Sequence, residues 1–137
     1  MDLVNSNNSN SGNSSGISSA EKLQYLDLKE PSIVQPIDPK LEDVEGYKFV
    51  QVEVAEVVNP KSYTVIFQVD YRDKNNEKTH LGSFSLYPSD NPGRFIVATQ
   101  GKVKSGGAIV LSLVVPDKLH ASDTVRVGIK KIKLIRE

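Results

Sequence analysis

From Tyr47 onward, apolar residues recur at every second position, the period of a strand with one buried face. Val50, Val52 and Val54 fall on one side, with Gln51 and Glu53 on the other. Tyr63, Val65, Phe67, Val69 and Tyr71 alternate with Thr64, Ile66, Gln68 and Asp70, the most regular strand in the chain. Residues 72–77, with Asp73, Asn75 and Asn76, have the chemistry of a turn that uses positive φ values. Residues 78–87 return as a strand that places His80, Gly82, Phe84 and Leu86 on one side. A Pro-Ser-Asp-Asn-Pro-Gly loop follows at 88–93, then a short strand at 94–99. Residues 108–115 are apolar except for Ser112, so this strand is predicted to be buried on both faces at the centre of the packing. In the last segment, 124–135, Val125, Val127 and Ile129 share one parity, while Ile132 and Leu134 share the other. A change of parity inside a strand predicts a β-bulge at Lys130–Lys131.

Six strands without a helix-period segment predict an all-β fold, an antiparallel β-sandwich over 47–137. The topology is left open between immunoglobulin-like and jelly-roll-like. Ahead of it, residues 20–46 are expected to form an acidic lead-in that is only partly ordered. Leu23, Tyr25, Leu26 and Leu28 there fit a short strand or one helical turn, and Pro31, Pro36 and Pro39 forbid a long helix. Of the 15 residues at 5–19, all but Ile17 are Asn, Ser or Gly. Such a tract has nothing to bury against the cost of ordering its backbone, so residues 1–19 are expected to be a disordered tail.

Charge adds one detail to this picture. The chain has 17 Lys+Arg against 17 Asp+Glu, which argues against nucleic-acid binding by bulk electrostatics. The balance hides an asymmetry. Residues 21–60 hold nine acids and four bases, and residues 101–137 hold eight bases and three acids. The expectation is that the acidic stretch lies across the basic one within the fold. The basic run Arg126, Lys130, Lys131, Lys133 and Arg136 reads as protection of a terminal strand against edge-to-edge pairing.

The inventory of reactive side chains is short. Without Cys there is no disulfide, thiol nucleophile or Cys-ligated metal, and a Cys-free chain suits a reducing and an oxidising compartment alike. His80 and His120 lack partners at metal-ligand spacing. No G-x-S-x-G elbow, Walker A motif or G-x-G-x-x-G is present, so no catalytic residue and no cofactor are assigned. The first residues carry neither the basic nor the apolar region of a secretory signal, and no apolar run is long enough for a membrane span. The richest acidic region is Asp70, Asp73 and Glu77, with Asp90 further on. Carboxylates at one end of a sandwich suit Ca²⁺, so Asp70, Asp73 and Asp90 are candidate ligands. Tyr47, Tyr71 and Tyr87 lie near predicted strand ends and are candidates for contact with a partner.

Two resemblances bear on function. The stretch from Val69-Asp70-Tyr71-Arg72-Asp73 to Leu81-Gly82 resembles the C2 domain pattern, which implies a Ca²⁺- or ligand-binding sandwich. A longer likeness runs through Val44-Glu45-Gly46, Phe67-Gln68-Val69, Leu81-Gly82-Ser83-Phe84, the apolar run 110–116 ending in Pro116, Val127-Gly128-Ile129 and Ile132-Lys133. In that order these pieces resemble the C-terminal β-sandwich domain of plant polyphenol oxidases and related tyrosinases. In that family a helical domain holds the copper pair on six histidines, and the sandwich shields its entrance. The resemblance implies a non-catalytic interaction or accessory domain with a protein partner, a cap or accessory of a tyrosinase-like copper oxidase. The Ca²⁺-binding C2-like sandwich is the alternative.

Overall fold

A computed structural model describes residues 22–120 and 122–136 of the 137-residue chain. The tail expected at 1–19 lies outside the described residues. Among the described residues eight strands form: β1 Gln24–Asp27, β2 Ser32–Pro36, β3 Phe49–Val58, β4 Ile66–Arg72, β5 Lys78–Ser85, β6 Gly93–Ala98, β7 Ala108–Val114 and β8 Arg126–Ile135. A single 3-10 turn, Val44–Gly46, precedes β3. The strands build two four-stranded sheets, ordered β1-β8-β3-β6 and β2-β7-β4-β5, with every pairing antiparallel. The pairs β1·β8, β2·β7, β3·β6 and β4·β5 are those made by folding the chain in half and rolling the long hairpin up. This is the eight-stranded jelly roll.

The lead-in segment is therefore part of the sandwich, one strand in each sheet. Leu26 and Ile33, on β1 and β2, are both buried in the common core. Two buried side chains and full ladders to β8 and β7 outweigh the prolines. Pro36, the last residue of β2, sits on a sheet edge, where a missing N–H costs least.

The two-residue period sets the core. Val50, Val52, Val54, Val65, Phe67, Val69, Leu111, Leu113, Val127 and Ile129 point inward between the sheets and are buried. As the pattern predicts, β7 is the most enclosed strand, with Ala108, Ile109, Val110, Leu111 and Leu113 all buried. The expected bulge is present. Glu53 pairs with Lys131 and Val54 with Ile129, so Lys130 is the extra residue on β8. Ala55 is the extra residue on β3, because Glu56 pairs with Gly128.

Two expectations change. His80 does not share a face with Gly82 and Phe84. Val69 pairs with Gly82 and Asp70 with His80, so Leu81 is an extra residue that turns His80 to the outer face. The Gln100 side-chain amide donates to the Leu81 carbonyl at 2.8 Å, giving the bulged residue's carbonyl a donor. The basic run on β8 does not guard an edge either, since β8 lies between β1 and β3. Its charges instead meet the acidic half of the chain, as the asymmetry predicts. Lys130 lies 3.9 Å from Glu53, and β8 runs antiparallel to both β1 and β3.

The open side between β5 and β6 is closed by rings. Phe67, Phe84 and Phe95 stack in series at 5.1 and 4.5 Å. Gly82 allows the approach, since a Cβ there would stand 2.8 Å from Val97 Cγ1. Gly107, entering β7 at φ 69°, has the Arg72 carbonyl where a side chain would begin.

Strand direction alternates, so the connections gather at two ends. Segments 28–31, 59–65, 86–92, 115–120 and 122–125 lie at one end. Segments 37–48, 73–77 and 99–107 lie at the other, together with residue 136 after β8.

Candidate functional site

The three acidic candidates do not meet. Asp73 lies in the β4–β5 turn and Asp90 in the β5–β6 connection, at opposite ends of β5. Eight strand residues separate those ends by about 26 Å, at roughly 3.3 Å per residue. Asp73 Oδ1 accepts the amides of Asn75 and Glu77, which fixes its own turn. Asp70 faces outward from β4 and pairs with His80, Oδ1 to Nδ1 at 2.9 Å. Among the described residues, no three His, Asp or Glu side chains come together as a metal site.

The three tyrosine candidates have different fates. Tyr71 is buried at 3% exposure, and its hydroxyl donates to the carbonyls of Lys104 and Gly106 at 3.3 and 3.4 Å. It belongs to the core, because its parity on β4 is that of Phe67 and Val69, and is not a contact residue. Tyr47 is half-buried at the end that carries residue 136, with the Arg136 guanidinium 4.4 Å from its ring centre. It edges a cleft of about 240 Å³ between the sheets, floored by Ile109 and Ile132 and covered by Leu41. Tyr87 stands at the other end, 94% exposed.

Tyr87 borders an open cleft of about 500 Å³. Ser62 and Thr64 line one side; Ser85, Leu86, Pro88, Ser89 and Asp90 supply the rest. Local sequence accounts for the presentation. Leu86 is buried and its amide donates to the Val65 carbonyl at 3.2 Å, which ties the loop to β4. The next residue, Tyr87, therefore points away from the core. Two residues on, the Ser89 carbonyl accepts from Asn59 Nδ2 at 3.2 Å. Asn59 is itself buried, and it also bonds Tyr63 through both its side-chain atoms.

Behind this cleft the connections are fastened to one another. The Asp123 carboxylate accepts from the His120 amide, the Tyr63 hydroxyl and the Lys61 ammonium, each at 2.6 Å. Asp117 Oδ2 accepts the Thr64 amide at 2.8 Å. The His120 amide first, then Lys61 and Tyr63, hold the Asp123 carboxyl far below the usual carboxylate range. Its hydrogen bonds in turn push Lys61 and Tyr63 upward. The side chain has no solvent exposure, yet its own donors cover it rather than depth of protein.

The two-residue period does not single out Asn59, Lys61, Tyr63, Asp117 and Asp123 as a group. The one local signal available is the turn chemistry of an Asn-Pro pair at 59–60, and the partners stand up to 62 residues apart. Of the candidate residues, the structure brings Tyr87 and Asp90 to one cleft and leaves Tyr47, Tyr71, Asp70 and Asp73 elsewhere. No family model, no curated protein and no solved structure matches this chain, so the geometry of these two ends is what speaks for its function.

Proposed function

We propose that this chain is a non-catalytic recognition module that engages its target through the Tyr87 cleft. The observation that carries this reading is the state of the five tyrosines. Tyr25 and Tyr47 lie under arginines, and Tyr63 and Tyr71 give their hydroxyls to Asp123 and to backbone carbonyls. Among the described residues Tyr87 has neither kind of partner, and it is 94% exposed. A ring held out on a loop anchored on both sides suits binding, since little freedom remains to be lost on contact. Asp123, the most perturbed carboxylate, supports the non-catalytic reading, because both its oxygens are already engaged.

A second contact, with a protein, is favoured by the outer face of the β1-β8-β3-β6 sheet. Ile96 is 55% exposed there, on the same sheet as Val58, Tyr25 and the β8 lysines. The partner implied by the sequence likeness, a tyrosinase-like copper oxidase, would sit on this face over Ile96.

Photo-crosslinking tests both contacts. Tyr87→p-benzoylphenylalanine and Ile96→p-benzoylphenylalanine proteins would be irradiated in an extract of the cells that make the chain. The expected result is an adduct from position 87 that excess wild-type protein competes away and excess Y87A does not. Absence of a competed adduct at 87 rejects the Tyr87 site, and absence of a protein adduct at 96 rejects the second contact.

A further inference from the structure

We infer that the Tyr87 cleft takes a neutral saccharide; this rests on the recognition reading above and adds the chemistry of the ligand. The lining provides both halves of what a sugar presents. A pyranose ring offers a face of C–H groups and a rim of hydroxyls. The Tyr87 ring face is electron-rich and attracts weakly positive C–H groups, and at 94% exposure its faces are open to stacking. Around it stand four hydroxyl side chains, Ser62, Thr64, Ser85 and Ser89, each able to donate and to accept. Asp90 adds a carboxylate that can accept from two neighbouring sugar hydroxyls at once, in charge-assisted bonds.

The lining also says what is unwelcome. Among the described residues no Lys, Arg or His borders the cleft, so an anionic ligand would meet Asp90 without a counter-charge there. Lys61, the nearest base in sequence on the neighbouring connection, is committed to Asp123 at 2.6 Å. A peptide hot spot needs a dry apolar pocket ringed by excluded water. An open trough in which hydroxyls stand among the apolar surfaces of Leu86, Tyr87 and Pro88 meets that need poorly, and it suits a polyol that offers both a C–H face and a hydroxyl rim. The volume of about 500 Å³ falls within the usual span of small-ligand sites, roughly 300–1,000 Å³. Anchoring completes the case. Leu86 is fixed to β4, Ser89 to Asn59, and the Asn91 amide donates to the Pro88 carbonyl at 3.0 Å, so the aromatic platform is set before ligand arrives.

The test is titration of the full-length protein with cellohexaose, xylohexaose, mannohexaose and laminarihexaose, followed by amide NMR and calorimetry. Hexagalacturonic acid serves as the anionic control. At least one neutral hexasaccharide is expected to move the amides of residues 62–64 and 85–91. Y87A should weaken that binding by roughly tenfold or more, and Y87F by no more than about threefold, since the ring face and not the hydroxyl makes the contact. D90N should weaken it several-fold. Y87A should melt with wild type, because an exposed ring contributes little to folding. The inference is overturned if no neutral hexasaccharide shifts those amides at about 10 mM, if the galacturonate binds equally well, or if Y87A binds as wild type does. A competed crosslink at position 87 combined with saccharide silence would reject the sugar while leaving the recognition site in place.

Discussion

At Asp123, three donors from two connections converge on one carboxylate, and its charge matters more than its volume. Its folded-state pKa is depressed by the His120 amide, Lys61 and Tyr63. The stabilisation is therefore complete above the unfolded carboxylate value near 4 and is lost as pH falls through and below it. Asp27, whose oxygen accepts the Glu30 and Lys29 amides, is shifted in the same direction and contributes with the same sign. Urea unfolding of wild type and D123N between pH 7 and pH 3 checks this. The wild type should lose more stability on acidification, and the two should draw together at the acid end. Equal pH slopes would show that the carboxylate is not a fastener. Nothing in the sequence pattern marks Asp123 as the neighbour of the connection after β3. A hydrogen bond across 60 residues leaves no period to read.

Strands were legible where parity was unbroken or broke cleanly. The shift from Ile129 to Ile132 disclosed the Lys130 bulge, because two apolar parities met within three residues. The Leu81 bulge gave no such warning. His80, Gly82 and Phe84 keep one parity on paper, and only the pairing of Asp70 with His80 shows the break. Parity also cannot report a strand's neighbours, which is why the β8 lysines were assigned to an edge they do not occupy. The register makes a specific prediction. Removing Lys130 leaves Ile129 opposite Val54 and Lys131 opposite Glu53, with Ile132 still facing inward. The deletion should cost about 1 kcal/mol and keep the fold. Deleting Glu53 instead forces Val52 and Val54 onto opposite faces and should abolish cooperative unfolding. Thermal melts followed by circular dichroism distinguish the two variants; similar behaviour would disprove the register.

Across the whole molecule, the rolled hairpin explains what length and composition could not. The chain's acidic and basic portions, far apart in sequence, meet because rolling lays β1 and β3 on either side of β8. The six strands after Tyr47 were readable from their period. The two before it were too short and too proline-rich to compete locally, and long-range ladders to β8 and β7 decide their state. A chain beginning at residue 47 lacks one edge of each sheet and exposes the sides of Val127 and Leu111 that Leu26 and Ile33 help enclose. It should be insoluble or give an unfolded amide NMR spectrum, whereas a well-dispersed spectrum would show that β1 and β2 are ornaments on a six-stranded core.

The ten residues of β8 carry the chain from the Tyr87 pole to Arg136 at the far pole, about 33 Å away at roughly 3.3 Å per residue. A bead, dye or fused enzyme tethered beyond Arg136 would thus hang behind the aromatic tip instead of in front of it, so the protein can be mounted like a probe with its handle at the back.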